Sequence, residues 1–164
     1  MSITFNVFEI FEMAEQIERN GIKFYHKAAK SVSDKGTRQM LTDLAAMEAE
    51  HEKTFAGMRK QLSDEELELR VFDPDNEIAL YLQAMADGHV FDLKKDPSRQ
   101  LTGTESVEDI LKLAIEAEKD SIVFYLGLKD FVPVRAGKDK VEAIIKEEMG
   151  HIAVLNQKMA TSSN

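Results

Sequence analysis

The chain contains no cysteine, and this absence excludes several kinds of site. Disulfides, iron–sulfur clusters and a zinc or iron centre held by thiolates would all require cysteine sulfur from the chain. Long apolar runs are also missing, because no stretch of 18 apolar residues occurs. A membrane-spanning helix needs roughly that many, so we expect no association with a membrane.

Basic residues are outnumbered by acidic ones: 21 lysines and arginines stand against 30 aspartates and glutamates, which gives a net charge of -9. Nucleic acid requires a basic face, so we expect no nucleic-acid partner. The N-terminal segment contains acids and lacks a basic leader, which argues against a signal peptide and makes the cytoplasm the expected location. The overall composition, 43% hydrophobic and 31% charged, is typical of one globular domain over residues 1–164.

Four apolar stripes run along the chain. In each of them, apolar residues recur at alternating steps of three and four, the spacing that places side chains on one face of a helix. Turn-forming residues separate the first stripe from the second, at 33–36, and the third from the fourth, at Pro133 and Gly137. These patterns predict four helices, over residues 5–32, 36–62, 106–131 and 138–159.

Each stripe is polar only near its middle, where ionisable side chains replace apolar ones. An ionised carboxylate in an apolar interior is costly unless it is paired or binds a metal, and several facing carboxylates would raise one another's pKa. One or two divalent cations would remove both costs, so these side chains are the predicted metal ligands. They are Glu18, Glu48, His51, Glu118, Glu148 and His151.

The sequence also repeats itself with a shift of 100 residues and no gap. Residues 5–62 and 106–160 are each predicted to form a helical hairpin. A pseudo-twofold axis between the hairpins would bring the two sets of ligands face to face, so a two-metal site is expected. The matched polar pairs are Glu18 and Glu118, Tyr25 and Tyr125, Glu48 and Glu148, and His51 and His151.

Both halves contain Glu-x-x-His, in which residues three apart on a helix point the same way and together supply an oxygen and a nitrogen ligand. Carboxylates and imidazoles without thiolates suit iron or manganese and do not exclude zinc. The alternative is a metal-free helical interaction module whose polar network specifies how the helices align. The metal hypothesis makes Glu48 and Glu148 bridging ligands, with Glu18 and His51 completing one ion and Glu118 and His151 the other.

Other polar residues have more open roles. Tyr25 and Tyr125 lie two turns beyond the first glutamate of each half. They are the candidate catalytic residues, which could hydrogen-bond a ligand or guard the centre, and the alternative is that they only fill the core. His26 and His89 have no matching histidine in the other half, and we interpret them as surface or loop residues. Further acids fall off the stripes and are predicted to be solvated, among them Glu15, Glu50, Glu52, Glu116 and Glu147.

Residues 63–105 connect the two hairpins. A 27-residue helix is about 40 Å long, so a chain that returns to the other end of a bundle needs a long crossover. An apolar side in residues 76–87 predicts a short helix there, between polar loops at 63–68 and 94–103. The predicted fold is therefore all-α: an antiparallel four-helix bundle of two hairpins, joined by this crossover.

The hairpins carry the motifs Ala14-x3-Glu18-x2-Gly21-x2-Phe24-Tyr25, Glu48-x2-His51, Ala114-x3-Glu118-x5-Phe124-Tyr125 and Glu148-x2-His151. In these motifs the chain resembles the ferritin-like superfamily, and most closely the rubrerythrin family. The resemblance implies a ferritin-like bundle with a non-haem centre of two iron ions. It also implies an oxidoreductase that reduces hydrogen peroxide or oxidises Fe(II) with peroxide or dioxygen, and a homodimer with part of residues 63–105 near the interface.

The chain departs from rubrerythrins in two respects. They carry a further glutamate one turn after the third-helix ligand, where this chain has Ser121, and they carry an electron-transfer domain with Cys-x-x-Cys pairs. A peroxidase of this sequence would therefore need an external electron donor. The alternative is iron storage resembling bacterioferritin, which has a similar ligand set, but without haem, because Ala49 stands where that family has its haem methionine. Residues 160–164 are too short for the fifth helix of that family, which disfavours a closed storage shell.

Overall fold

The computed structural model describes residues 6–64, 75, 77–84 and 96–162, and every regular element in these residues is helical. The predicted all-α class is thereby confirmed, and the ends of the four long helices lie within three residues of the predicted ends. The helices are α1 (Val7–Ser31), α2 (Lys35–Lys60), α3 (Glu77–Ala84), α4 (Val107–Phe131) and α5 (Lys138–Ser162), with 3-10 turns at Pro97–Gln100 and Val134–Ala136.

Side-chain caps determine where the helices begin. Asp34 Oδ2 accepts a hydrogen bond from the Thr37 N–H at 2.8 Å, and Ser106 Oγ accepts one from the Asp109 N–H at 3.1 Å. The hydrogen bonds from the Thr37 side chain and backbone lower the pKa of Asp34 to about 2. Because Asp34 caps α2, residues 35–36 belong to the helix and not to the predicted turn.

The two hairpins pack into a bundle around two apolar clusters. α1 lies along α2 and α4 along α5, and further contacts join α1 to α4 and α2 to α5. The first cluster contains Phe11, Phe55 and Tyr125, and the second contains Phe24 and Tyr25. On each long helix the polar residues of the stripe fall between members of the two clusters. The packing therefore places these polar residues at mid-height in the bundle.

Two described parts of the crossover lie against the bundle. α3 packs on α4, and the Tyr81 hydroxyl donates a hydrogen bond to the Val123 carbonyl at 2.6 Å. The 3-10 turn at Pro97–Gln100 packs on α1, and Leu101 after it is buried, so the predicted polar loop at 94–103 contains an anchored apolar residue. Residues 85–87 of the predicted short helix lie outside the described residues. None of the described helices is both long and apolar enough to cross a membrane.

Glu15 was predicted to be solvated, and this prediction is wrong. Glu15 is only 4% exposed, because Arg59 of α2 donates two hydrogen bonds to its carboxylate, one of them from Nη2 to Oε2 at 3.1 Å. A guanidinium that binds both oxygens offsets the desolvation of a buried carboxylate. The other acids predicted at the surface are at least partly exposed: Glu50, Glu52, Glu116 and Glu147.

Candidate metal centre

The six ionisable side chains of the stripes meet in the middle of the bundle, and all of them are buried. They form two overlapping groups of four, and in each group one possible ligand atom per residue lies within 4.8 Å of the others. Two overlapping groups of this kind are what two ions would need if they shared two of the carboxylates. Glu48 and Glu148 belong to both groups, Glu18 and His51 only to the first, and Glu118 and His151 only to the second.

Both histidines point Nδ1 into the cluster. His151 Nδ1 lies 2.8 Å from Glu148 Oε2, 3.3 Å from Glu48 Oε1 and 3.4 Å from Glu118 Oε1. His51 Nδ1 lies 3.2 Å from Glu148 Oε1 and 3.7 Å from the oxygens of two further glutamates. The two imidazole rings are stacked, with centroids 5.6 Å apart and planes inclined by 19°. Each imidazole therefore faces three carboxylates through one nitrogen.

Two buried tyrosines connect the halves of the bundle. The Tyr25 hydroxyl donates a hydrogen bond to Glu118 Oε1, and the Tyr125 hydroxyl donates one to Glu18 Oε1. Burial and the neighbouring carboxylates raise the pKa of both phenols, so the hydroxyls stay protonated and act as donors. Each tyrosine thus orients the glutamate of the opposite half, and a catalytic role for Tyr25 and Tyr125 stays a prediction.

The cluster contains polar atoms that no protein group satisfies. Within the described ranges, seven buried side-chain atoms lack a hydrogen-bond partner, and all seven belong to this cluster. Even Glu148 Oε2 and His151 Nδ1, 2.8 Å apart, are not aligned as a hydrogen bond. Each such atom costs about 1–3 kcal/mol, and native proteins contain few of them. Divalent cations in the cluster would satisfy all of these atoms except His151 Nε2, so the residues present fit a metal centre.

The four carboxyl groups divide into two whose pKa is raised and two whose pKa is lowered. Burial, followed by repulsion from Glu48, raises the pKa of Glu18, and burial likewise raises that of Glu118. Burial also acts to raise the pKa of Glu48 and Glu148, but the close approach of the neighbouring imidazole and carboxyl groups outweighs it and holds both below the ordinary value. The two glutamates that belong to both groups of possible ligands are therefore the pair with lowered pKa.

The carboxylates also shift the pKa of both histidines. Burial acts to lower it, but the carboxylates close to each Nδ1 outweigh burial and raise the pKa of His51, and that of His151 to about 12. A divalent cation would compete with the protons for these oxygen and nitrogen atoms, because a ligand must be deprotonated to bind a metal.

A glycine on α1 makes room for one of the shared carboxylates. A Cβ atom at Gly21 would lie 3.3 Å from Glu48 Cγ and 3.4 Å from its Cδ and Oε2, closer than most real contacts. The matching residue of the other half is Ser121, whose hydroxyl donates a hydrogen bond to the Ala117 carbonyl at 3.1 Å. The missing side chain at position 21 thus determines how closely Glu48 can lie against α1.

We expect Gly21→Ala to weaken metal binding by roughly tenfold, because crowding a packed site costs about 1–3 kcal/mol and about 1.4 kcal/mol is a factor of ten. The measurement is an anaerobic Co(II) titration followed by calorimetry. Gly150→Ala is the matched control, since nothing lies within 4 Å of a Cβ atom there. It should bind Co(II) as the wild type does and gain the roughly 0.5–1 kcal/mol of helix stability that alanine has over glycine. Equal affinities in both variants would contradict the steric role of Gly21.

Sequence reasoning missed one residue that contacts the cluster. Glu147 was predicted to be solvated, and its side chain is 53% exposed, but its Oε2 lies 2.7 Å from His51 Nε2. Its position beside Glu148 was the only signal in the sequence. His26 is exposed, as predicted, and His89 lies outside the described residues.

The chain is similar in structure to a proposed ferritin-like diiron-carboxylate protein from Thermotoga maritima, known from a crystal structure. The TM-score is 0.72, the sequence identity is 22%, and the alignment covers 99% of each chain. This similarity confirms the predicted ferritin-like four-helix fold. No family model matches the sequence, and no curated protein matches it either.

Proposed function

We propose that this protein is a non-haem di-iron oxidoreductase that reduces hydrogen peroxide, or oxidises Fe(II) with peroxide or dioxygen, at the buried cluster. The observation that carries the proposal is the concentration of unsatisfied polar atoms among four carboxylates and two imidazoles. A metal-free interaction module would bury these atoms at a cost and without a compensating interaction. The fold shared with a proposed ferritin-like diiron-carboxylate protein supports the same interpretation.

The proposed ligands follow the two overlapping groups. Glu48 and Glu148 would bridge two ions, and each ion would also take one of the remaining glutamates and one imidazole Nδ1. Oxygen and nitrogen ligands without sulfur suit iron, although manganese or zinc could bind the same set. Two ferrous ions, when bound, would supply the two electrons that convert one hydrogen peroxide and two protons into two water molecules.

The chain's own residues would hold this centre in a fixed and dry environment. The Tyr25 and Tyr125 hydroxyls orient Glu118 and Glu18 from opposite halves, because each donates a hydrogen bond to one oxygen of the carboxylate. The apolar clusters above and below exclude water along the bundle axis. The imidazole and carboxyl groups that hold protons in the metal-free protein would release them when metal binds.

Partners and subtype are part of the same proposal. By resemblance to rubrerythrins, the oxidant would be hydrogen peroxide or dioxygen, an external donor would return the electrons, and the protein would be a cytoplasmic homodimer. Ser121 stands where rubrerythrins have a further glutamate, and its hydroxyl is engaged by the Ala117 carbonyl. The proposed centre therefore has one carboxylate fewer than a rubrerythrin centre.

The test is a stopped-flow comparison of the two oxidants. Protein loaded anaerobically with two ferrous ions per chain is mixed with hydrogen peroxide or with dioxygen, and the near-ultraviolet absorbance of ferric iron is followed. We expect oxidation by peroxide to be much faster than oxidation by dioxygen. His26→Ala, which changes an exposed histidine, should behave as the wild type does.

The other outcomes separate the alternatives. Preference for dioxygen, with uptake of more than two irons per chain afterwards, would favour iron storage over peroxidase activity. Oxidation no faster than that of free Fe(II) with either oxidant would refute the oxidoreductase.

A further inference from the structure

We infer that Glu147 is a positioning residue that makes the two metal positions unequal, so that the position served by Glu18 and His51 binds its ion more tightly than the position served by Glu118 and His151. The inference rests on the proposed metal centre and adds to it. The two halves of the chain repeat each other in all six cluster residues, so any difference between the positions must come from the residues around them.

The contact between Glu147 and His51 determines which ring nitrogen carries a proton. Glu147 Oε2 lies 2.7 Å from His51 Nε2, on the side of the ring away from the cluster. A carboxylate oxygen accepts the hydrogen bond, so Nε2–H is the donor. In the neutral ring, the lone pair is then on Nδ1, the nitrogen that lies 3.2 Å from Glu148 Oε1. Glu147 therefore holds His51 in the tautomer and orientation that a metal ion requires.

The other half lacks this support. The residue that matches Glu147 in the repeat is Met47, which is 39% exposed, and a thioether is at best a weak acceptor. His151 Nε2 is buried, and it has no hydrogen-bond partner in the part of the chain that the structure describes. Nothing there selects the tautomer of His151, so binding a metal through Nδ1 would also leave a buried N–H unsatisfied.

The position of Glu147 makes a purely structural role a poor explanation. Its side chain is half exposed, in a groove of about 440 Å³ between α2 and α5 that is also lined by His51, Lys140 and Gly57. It belongs to neither group of possible ligands. Substitution at this exposed position should therefore leave the bundle intact and act on the metal through His51.

The experiment is an anaerobic calorimetric titration with Co(II), repeated by following the visible absorption of the bound ion. The wild type should show two binding steps, with the tighter one lost in His51→Ala and the weaker one lost in His151→Ala. Glu147→Ala should weaken the tighter step by roughly 10- to 100-fold, the usual effect of losing such a partner. Glu147→Gln, whose amide oxygen can still accept, should restore part of this loss.

Two further variants separate orientation from charge. Glu50→Ala removes the same charge from an exposed position two residues from a shared ligand, and it should leave both steps unchanged. Met47→Glu gives His151 the missing acceptor and should strengthen the weaker step. The inference would be overturned if Glu147→Ala and Glu50→Ala both weakened the two steps equally. It would also be overturned if His51→Ala removed the weaker step. Either result would leave the metal centre in place. A wild type that binds no Co(II) would overturn the proposed centre itself and the inference with it.

Discussion

Glu148→Ala is expected to abolish tight binding of both metal ions. His151→Ala is expected to abolish tight binding of one ion. Glu148 belongs to both groups of possible ligands, whereas His151 belongs to one of them. Loss of a supporting residue costs roughly 10- to 100-fold in metal affinity, and loss of a ligand should cost more. The measurement is the iron content per chain after anaerobic loading with Fe(II) and desalting, with two ions expected in the wild type, none in Glu148→Ala and one in His151→Ala.

Matched controls exist for both substitutions. Glu116→Ala removes an exposed glutamate and His26→Ala an exposed histidine, and both variants should retain two ions. Circular dichroism should show all four variants to be as helical as the wild type, because the helices are stabilised by the apolar clusters on either side of the site. Unchanged iron content in both Glu148→Ala and His151→Ala would refute the assignment of the ligands.

Binding of two divalent ions should raise the melting temperature by about 10 °C or more. An ion present at 1,000 times its dissociation constant adds about 4 kcal/mol to the free energy of unfolding. For a chain of this size, 1 kcal/mol shifts the melting temperature by about 2–4 °C. The described part of the metal-free protein also buries six unsatisfied polar atoms that face the cluster and that bound ions would satisfy. Scanning calorimetry of the metal-free protein, with and without Mn(II), measures the shift.

The size of this shift should depend on pH. The raised pKa values of Glu18, Glu118, His51 and His151 mean that the metal-free cluster holds more protons than the metal-bound one. Affinity for the metal therefore rises with pH, by roughly tenfold per pH unit for each proton displaced. The rise in melting temperature should be larger at pH 8 than at pH 6, and Glu148→Ala should show little rise at either. An equal shift at both pH values would contradict the proton exchange.

The helices and the set of candidate ligands were predictable because both depend on the period of a single helix. Glu18 and His151 stand out in the sequence as polar interruptions of apolar stripes, and the repeat of 100 residues shows each interruption twice. The start of α2 was misplaced by one residue because the Asp34 cap was not foreseen. Such a cap is a local feature that overrides the turn tendency of the glycine at position 36.

Burial of individual polar residues was less predictable, because it depends on partners from other helices. Glu15 has the sequence signature of a surface residue, but it is buried since Arg59, 44 positions later, folds over it. The tyrosines lie on the same stripe as the glutamate of their own half, yet each donates to the glutamate of the opposite half. A stripe identifies the buried face of a helix and leaves open the offset and rotation of its neighbours.

The sequence by itself determined that the chain is helical, that it repeats, and that each half buries two glutamates and a histidine among apolar residues. These features follow from side-chain spacing along one helix, which is independent of the rest of the fold. Only the tertiary structure decided that Glu147 holds His51, while the outer nitrogen of His151 has no hydrogen-bond partner among the described residues. That difference depends on which residues of α2 and α5 lie opposite each other, and a contact across two helices is set by their packing.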